Sequence, residues 1–320
     1  MLLRQTAFNA INDEKPLDGP TVITLGNFDG VHLGHRQLIG DAVNAAKKRD
    51  LPVIVVTFDP HPSKILSPEK QPGFLMTLSQ KLCIFESLEV DAVWVIPFSR
   101  EFSELEPDSF LDGLRKNLCP VELHVGQAFR FGLNRLGDLS TLQTWGNILG
   151  CEICTHAYKA PDGGFLSSSR IRQLLVDGDV ALATVLLGEP FTLTGLVVEG
   201  DRRGRCIGFP TANLAWEQEI LPAAGVYVTA VRCSTHLIGT LMGLTNVGIK
   251  PTFNGMNLTV ETHLPGISEN LYGSKLELRF LNRIRGEEKF ETTELLQARI
   301  KEDISIAAKW WKCNNDATSP

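Results

Sequence analysis

The stretch Val22-Ile-Thr-Leu-Gly-Asn-Phe-Asp-Gly-Val-His-Leu-Gly-His35 runs from an apolar, β-branched strand into a glycine-rich turn and then into a helical pattern. Gly26, Gly30 and Gly34 let the backbone approach a ligand closely, and His32 and His35 stand three apart at the mouth of the helix that follows. A helix start offers unpaired amide donors and the positive end of the helix dipole, so this junction suits phosphate chemistry. Two imidazoles there can stabilise charge that grows on a phosphate during its transfer. A zinc pair lacks further ligands at suitable spacing.

Outward from this junction the first half repeats the same alternation. Val22 to Leu25, Val53 to Phe58, Val93 to Phe98 and Val121 to Val125 read as buried strands. Gln37 to Arg49, Ser79 to Leu88, Pro107 to Leu118 and Leu139 to Leu149 read as crossover helices. The expectation is a Rossmann-like α/β domain with a parallel sheet that binds ligands at the carboxyl ends of its strands.

The pattern changes after Gly188-Glu-Pro190, a compact joint, which divides the chain into domains 1–187 and 188–320. Leu193 to Val198, Val226 to Val231, Leu237 to Leu241, Leu258 to His263 and Leu276 to Phe280 read as strands between Gly, Pro and Asn turns, the pattern of an antiparallel β-barrel. A helix from about Thr292 to Trp311, with Leu295, Leu296, Ile300, Ile304, Ala307 and Ala308 at helical spacing, is expected to pack on it. Asn314 to Pro320 reads as a disordered tail.

Composition agrees with two ordinary globular cores. The chain has 320 residues, 43% of them hydrophobic, and 31 basic against 37 acidic residues give a formal charge of −6 without a long run of either sign. Neither nucleic acid nor a membrane surface is expected as a partner. The early Arg4 and the lack of a long apolar window point to the cytoplasm. The seven scattered cysteines read as reduced thiols. Cys151 and Cys154 form a CxxC near His156, but no second ligand pair follows in sequence, so they read as small apolar residues on a strand. Asn257-Leu-Thr259 fits a glycosylation sequon and reads instead as a turn.

The glycine-histidine junction resembles the motif of the HxGH nucleotidylyltransferases, and in this longer form that of the adenylyltransferase half of bacterial FAD synthetases. Thr57-Phe-Asp-Pro-His-Pro62, Val125-Gly-Gln-Ala-Phe-Arg-Phe-Gly132 and Ser167-Ser-Ser-Arg-Ile-Arg172 resemble further segments of that family, in its order. The resemblance implies that His32 and His35 are catalytic and that Gly26, Phe28, Asp29, Gly34, Ser168, Ser169 and Arg172 bind ATP. It implies flavin contacts from Pro60, His61 and Phe129, although two prolines ending a strand need no ligand. Ala128 departs from the family, which carries Asp or Asn there. The lost hydrogen bond leaves open an enzyme with a single activity.

Val198-Glu-Gly-Asp-Arg-Arg-Gly-Arg-Cys-Ile-Gly-Phe-Pro-Thr-Ala-Asn213 opens the barrel half. Gly200, Gly204 and Gly208 read as a mobile loop whose amides can wrap phosphates, with positive charge from Arg202, Arg203 and Arg205. The segment resembles the GFPTAN motif of riboflavin kinases. That resemblance assigns Gly200, Gly204, Arg205, Gly208 and Pro210 to the phosphate loop, Thr211 and Asn213 to Mg²⁺, and the catalytic carboxylate to Glu261. Segments at 221–227, 245–253, 260–263, 271–273 and 284–290 follow in the kinase's order, with Lys250 where that family more often has arginine. Together the two resemblances imply a bifunctional enzyme that uses ATP to turn riboflavin into FMN and FMN into FAD. A flavin-binding sensor has no use for Glu261, Thr211, Asn213 and both histidines.

Overall fold

Runs of Val, Ile and Leu without polar alternation suit strands covered on both faces, and such strands build the first half of this protein. The computed structural model describes residues 1–5, 8, 19–70, 73–200, 203–233, 239–252, 255–267 and 269–315. It falls into two compact units, Met1–Ser167 and Ser168–Pro320.

The first unit contains β1 (Leu2–Gln5), β2 (Thr21–Leu25), α1 (Leu33–Arg49), β3 (Val53–Asp59), α2 (Pro62–Leu66), α3 (Leu78–Ser87) and β4 (Ala92–Pro97). It continues through α4 (Arg100–Ser103), α5 (Pro107–Leu118), β5 (Pro120–Gly126), α6 (Leu139–Leu149) and β6 (Glu152–His156). The six strands form one parallel sheet in the order β1-β4-β3-β2-β5-β6. Alternate residues feed two cores: Ile23, Ile54, Trp94 and Leu123 on one face, Val22, Val55 and Val93 on the other with Leu38 and Ile39 of α1. Edge strand β1 was not expected, because its Leu2 and Leu3 are about half exposed and too few to set a pattern.

The expected spans of α5 and α6 match because their ends carry local signals. Pro107 opens α5, while an Asp138/Thr141 capping box opens α6 and Gly150, at φ 70°, closes it. Helix α1 begins four residues before the expected Gln37, since His32 caps it: its Nδ1 accepts the His35 N–H at 3.3 Å. Strand β2 lies between β3 and β5, so the turns at Gly26, Pro60 and Gln127 leave three adjacent strands at their carboxyl ends.

The second unit begins with α7 (Ser168–Asp177) and α8 (Val180–Leu187), followed by β7 (Thr192–Val198), α9 (Arg203–Cys206), β8 (Thr211–Trp216) and β9 (Gly225–Cys233). Then come β10 (Leu241–Thr252), β11 (Gly255–His263), β12 (Lys275–Arg285) and α10 (Thr293–Asn315). The strands close an antiparallel barrel in the order β10-β11-β8-β7-β12-β9. Helices α7 and α8 pack together, and the Ala223 N–H donates to Leu175 O at 2.8 Å.

Several expectations for this half are corrected. Gly239, at φ 90°, precedes the strand rather than continuing it, and Leu241 opens β10; Leu237 and Ile238 lie outside the described residues. Asn257 sits in β11 opposite Lys250, not in a turn. The 200–208 segment includes a one-turn helix, α9, rather than being loop throughout. Helix α10 reaches Asn315, so Asn314 is helical, and residues 316–320 lie outside the described residues. Ala307 is buried and Ile304 packs with it against Val226, Val228 and Leu244, whereas Leu295 and Ala308 face water. The same helix buries Asp303, which receives two nitrogens of Arg285 at 2.8 and 3.1 Å. A paired charge inside an apolar face is invisible to a search for apolar periodicity. Among the described residues no helix is long and apolar enough to cross a membrane.

Candidate active sites

In the turn after β2, Phe28 and Val31 adopt positive φ, 49° and 33°, and both side chains are buried. Such backbone is costly for bulky residues and persists where packing over-determines it. Phe28 meets the His35 ring edge-on at 5.2 Å and Phe85 at 5.7 Å. A Cβ on Gly26 would lie 3.0 Å from the Phe28 ring, and one on Gly34 3.0 Å from Leu166, so a side chain at either position would force its neighbour to give by a few tenths of an ångström. Asp29 is buried and accepts the Leu75 N–H at 3.0 Å, which ties the turn to the chain ahead of α3.

The two histidines stack with ring centroids 3.7 Å apart. Burial lowers the His32 pKa to about 4, against a smaller opposite effect of a backbone hydrogen bond. Burial, helped by the nearby positions of His32 and Lys81, holds His35 well below the ordinary range. Both rings are therefore neutral near pH 7, and among the described residues the buried His35 Nδ1 has no hydrogen-bond partner. An imidazole nitrogen left over at a helix start is what an incoming polar ligand would satisfy.

Lys81 completes this cluster and was missed from sequence. It is 6% exposed, and its Nζ donates to Asn27 O at 3.4 Å. Burial lowers its pKa, opposed by Asp29 and Asp59. A signal was present: Lys81 lies three and four positions before Ile84 and Phe85, on the buried stripe of α3.

His61, half-buried past β3, caps α2 by accepting the Ser63 N–H at 3.2 Å, and its ring lies 4.8 Å from Phe74. Pro60 is half-buried beside it. Phe129 stacks on Phe131 at 5.7 Å and packs against the core, while Gln127 and Ala128 are exposed in the turn before it. Ser168, Ser169 and Arg172 lie in the first turns of α7, and so in the second unit.

In the barrel, strand register assembles the other site. Glu261 on β11 pairs with Asn213 on β8 on one side and with Asn246 on β10 on the other. Thr211 Oγ1 donates to Glu261 Oε2 at 3.2 Å across a sequence gap of 50 residues. The preceding segment folds onto these groups: a Cβ on Gly200 would meet the Asn213 amide at 2.4 Å, and one on Gly204 would meet Phe209 O at 2.4 Å and Thr211 Oγ1 at 3.4 Å. Gly208 has φ 89°, and His263 Nδ1 donates to Pro210 O at 2.8 Å. Arg205 and Pro210 are exposed. Arg202 and the side chains of Arg203 and Lys250 lie outside the described residues. Asn246 is a second residue missed from sequence; only the barrel register reveals that it flanks Glu261.

The thiols divide as well. Cys151 is buried in the core as expected, though it precedes β6 rather than lying in it, and its pKa is raised to about 12 by burial and then by Glu122 and other nearby acidic groups. Cys154 instead faces polar partners, its Sγ donating to Glu122 Oε1 at 3.6 Å.

Known proteins can be set against this geometry. A family model described as FAD synthetase matches residues 14–170, and one described as riboflavin kinase matches residues 187–311. A protein of Escherichia coli (strain K12) named bifunctional riboflavin kinase/FMN adenylyltransferase is 38% identical over 299 residues, covering 93% of this chain and 95% of its own. A protein of the same name from Bacillus subtilis (strain 168) is 35% identical over 297 residues, with 91% and 92% covered. A crystal structure described as a macrolide-efflux protein from Streptococcus pneumoniae superposes with a TM-score of 0.86 at 28% identity, covering 97% of this chain and all of that one.

Proposed function

The chain belongs to the family of bifunctional riboflavin kinases/FMN adenylyltransferases, and from that premise we propose how its residues divide the two reactions. The protein is a transferase that makes FMN from riboflavin and ATP, then FAD from FMN and a second ATP. We assign adenylyl transfer to residues 1–187 and phosphorylation to residues 188–320.

The observation that carries the kinase reading is Glu261, half-buried between Asn213 and Asn246 and hydrogen-bonded to Thr211. The primary ribityl hydroxyl attacks the γ phosphorus of ATP, the bond to the β,γ-bridging oxygen breaks, and ADP leaves. A neutral hydroxyl must lose its proton along this path, and Glu261 accepts it. Thr211 Oγ1 and the Asn213 carbonyl are hard oxygen donors beside a carboxylate, a set that suits Mg²⁺ held jointly with phosphates and water. When bound, that ion neutralises charge on the phosphates. The amides of 200–208 and the exposed Arg205 cover the same phosphates.

Adenylyl transfer needs no base, because the FMN phosphate is already anionic at neutral pH. One of its oxygens attacks the α phosphorus of ATP, the α,β-bridging bond breaks, and pyrophosphate leaves. The start of the 17-residue helix α1, the neutral His32 and His35, and the ammonium of Lys81 form the positive cradle for that charge. Phe28 positions His35, and Asp29 and Gly34 shape the turn. Ser168, Ser169 and Arg172 are phosphate ligands, and Pro60, His61 and Phe129 are flavin contacts. The free cysteines accord with a cytoplasmic setting.

Chromatography of flavin products over time, from riboflavin and separately from FMN with Mg-ATP, tests this reading. FMN should appear before FAD in the first reaction and FAD directly in the second. FMN accumulating with no FAD in either would overturn the assignment of residues 1–187.

A further inference from the structure

One polar network belongs to neither reaction. It lies on strands β5 and β6, whose parallel register sets Glu122 opposite Glu152 and His124 opposite Cys154, while α1 adds Asp41 and Arg49. Glu122 and His124 are 5% and 3% exposed, so their hydrogen bonds must be met within the protein.

The protons of this network can be traced. The single phenolic proton of Tyr158 goes to Asp41, so His156 Nδ1, 2.8 Å from the phenol oxygen, must be the donor there. His156 Nε2 is then an acceptor, and His124 Nδ1, 3.0 Å away, must donate to it. A neutral His124 is thereby left with a bare Nε2 lone pair aimed at Glu122 Oε1 from 2.9 Å. Two acceptors at that distance repel, so a positive species belongs between them: a second proton on His124, or a metal ion.

The surroundings also suit a metal. Ligating atoms of Glu122, His124 and Cys154 all lie within 4.8 Å of one another, with Cys154 Sγ 3.6 Å from Glu122 Oε1 and 4.0 Å from Glu152 Oε1. Bonds of about 2.0–2.3 Å in a tetrahedron separate ligands by about 3.3–3.8 Å, so small side-chain shifts complete the set. We propose that Glu122, His124 and Cys154, with Glu152 as fourth ligand, bind a borderline-soft divalent transition metal of the zinc class.

Charge closes in the same sense. Arg49 takes the other oxygens of Glu122 and Glu152, at 2.6 and 2.7 Å, which leaves one net negative charge while Cys154 is a neutral thiol. Metal binding expels the thiol proton to solvent, and the resulting thiolate, two carboxylates and one guanidinium balance a divalent ion. The hydrogen bond from His124 Nδ1 to His156, backed by Tyr158 and Asp41, is the outer-shell arrangement that orients a ligating histidine. The ligand pair that Cys151 and Cys154 lack in sequence comes from β5, through strand register. Glu152 and Arg49 are exposed, which gives solvent access to the site.

The test adds Co²⁺, then Zn²⁺, to the purified full chain, alone and with excess Mg²⁺. One Co²⁺ per chain is expected, with thiolate-to-cobalt charge transfer and four-coordinate visible bands. One equivalent of Zn²⁺ should displace it, and Mg²⁺ should not compete. Cys154→Ser should lose the charge-transfer band and weaken binding by at least about 100-fold, beyond the range of outer-shell changes, whereas Cys151→Ser keeps both. In the unaltered protein Zn²⁺ should slow alkylation of Cys154, read by peptide mass, without slowing that of exposed Cys83 or Cys313. A thiolate band that persists in Cys154→Ser, no saturable band at all, or unprotected Cys154 would overturn the proposal.

Discussion

The two glycine-rich segments proposed to hold phosphates use the same raw material in different ways. Both are rich in glycine, but 26–34 runs into a 17-residue helix, whereas the described residues of 200–208 include the one-turn α9, and Gly200 and Gly204 lie against Asn213 and Thr211 of a barrel strand. As proposed, the first would offer its ligand a helix start, two neutral imidazoles and a buried lysine. The second sets Glu261 opposite Asn213, with Thr211 two residues along the same strand and hydrogen-bonded to the carboxylate. The contrast follows the nucleophiles. An FMN phosphate arrives already ionised and needs only positive surroundings, whereas a sugar hydroxyl must be deprotonated and needs a base.

The sharpest way to break this comparison is Glu261→Gln. It should cut FMN formation by about 10²–10⁴-fold, the range of a lost general base, and leave conversion of supplied FMN to FAD unchanged. Separate steady-state assays of the two steps decide, and loss of both activities in a folded variant would count against the division. The converse double variant, His32→Ala with His35→Ala, should lower FAD synthesis by about 10²–10³-fold while kinase turnover stays intact. Lys81→Met should reduce the FMN-to-FAD step by about 10–100-fold, the effect of one charged hydrogen bond, with most of the loss in kcat if the ammonium acts on the transition state.

A pH experiment sharpens the contrast on the side of stability. His32 has a folded pKa of about 4, below its unfolded value of about 6.5, so the unfolded chain binds the extra proton between them. Stability from the neutral ring is therefore complete above about pH 6.5 and is lost as pH falls toward 4. Urea unfolding should show the first unit losing about 2 kcal/mol between pH 7 and 5, with His35 shifting the loss in the same direction. His32→Gln should flatten that dependence. The smallest effect is expected at Ala128. Because it stands exposed in a turn, no buried partner goes unmet in the free protein, and Ala128→Asn should raise FAD formation by no more than about fivefold.

Much of this was legible along the chain, for physical reasons. Strands β2 to β5 declared themselves because burial on both faces demands uninterrupted apolar residues. Helices α5 and α6 ended where expected because caps are local chemistry. Both glycine-rich motifs could be read because their glycines, histidines and oxygen donors are close together in sequence. Strand β10 and Asn246 were harder, since Gly243, Gly248 and Pro251 interrupt the apolar pattern and barrel pairing supplies what propensity does not.

What the sequence determined by itself was therefore the two architectures, their order and the family to which they belong. Only the tertiary structure decided which distant groups meet. Lys81 comes near enough to His35 to act on its charge because α3 packs its stripe against the core; Glu261 reaches Thr211 because of strand register; and Glu122, His124 and Cys154 converge because β5 and β6 pair in parallel. Propensity and spacing act over a few residues. The charges and donors that govern this chemistry act over a few ångströms of space, and folding joins the two.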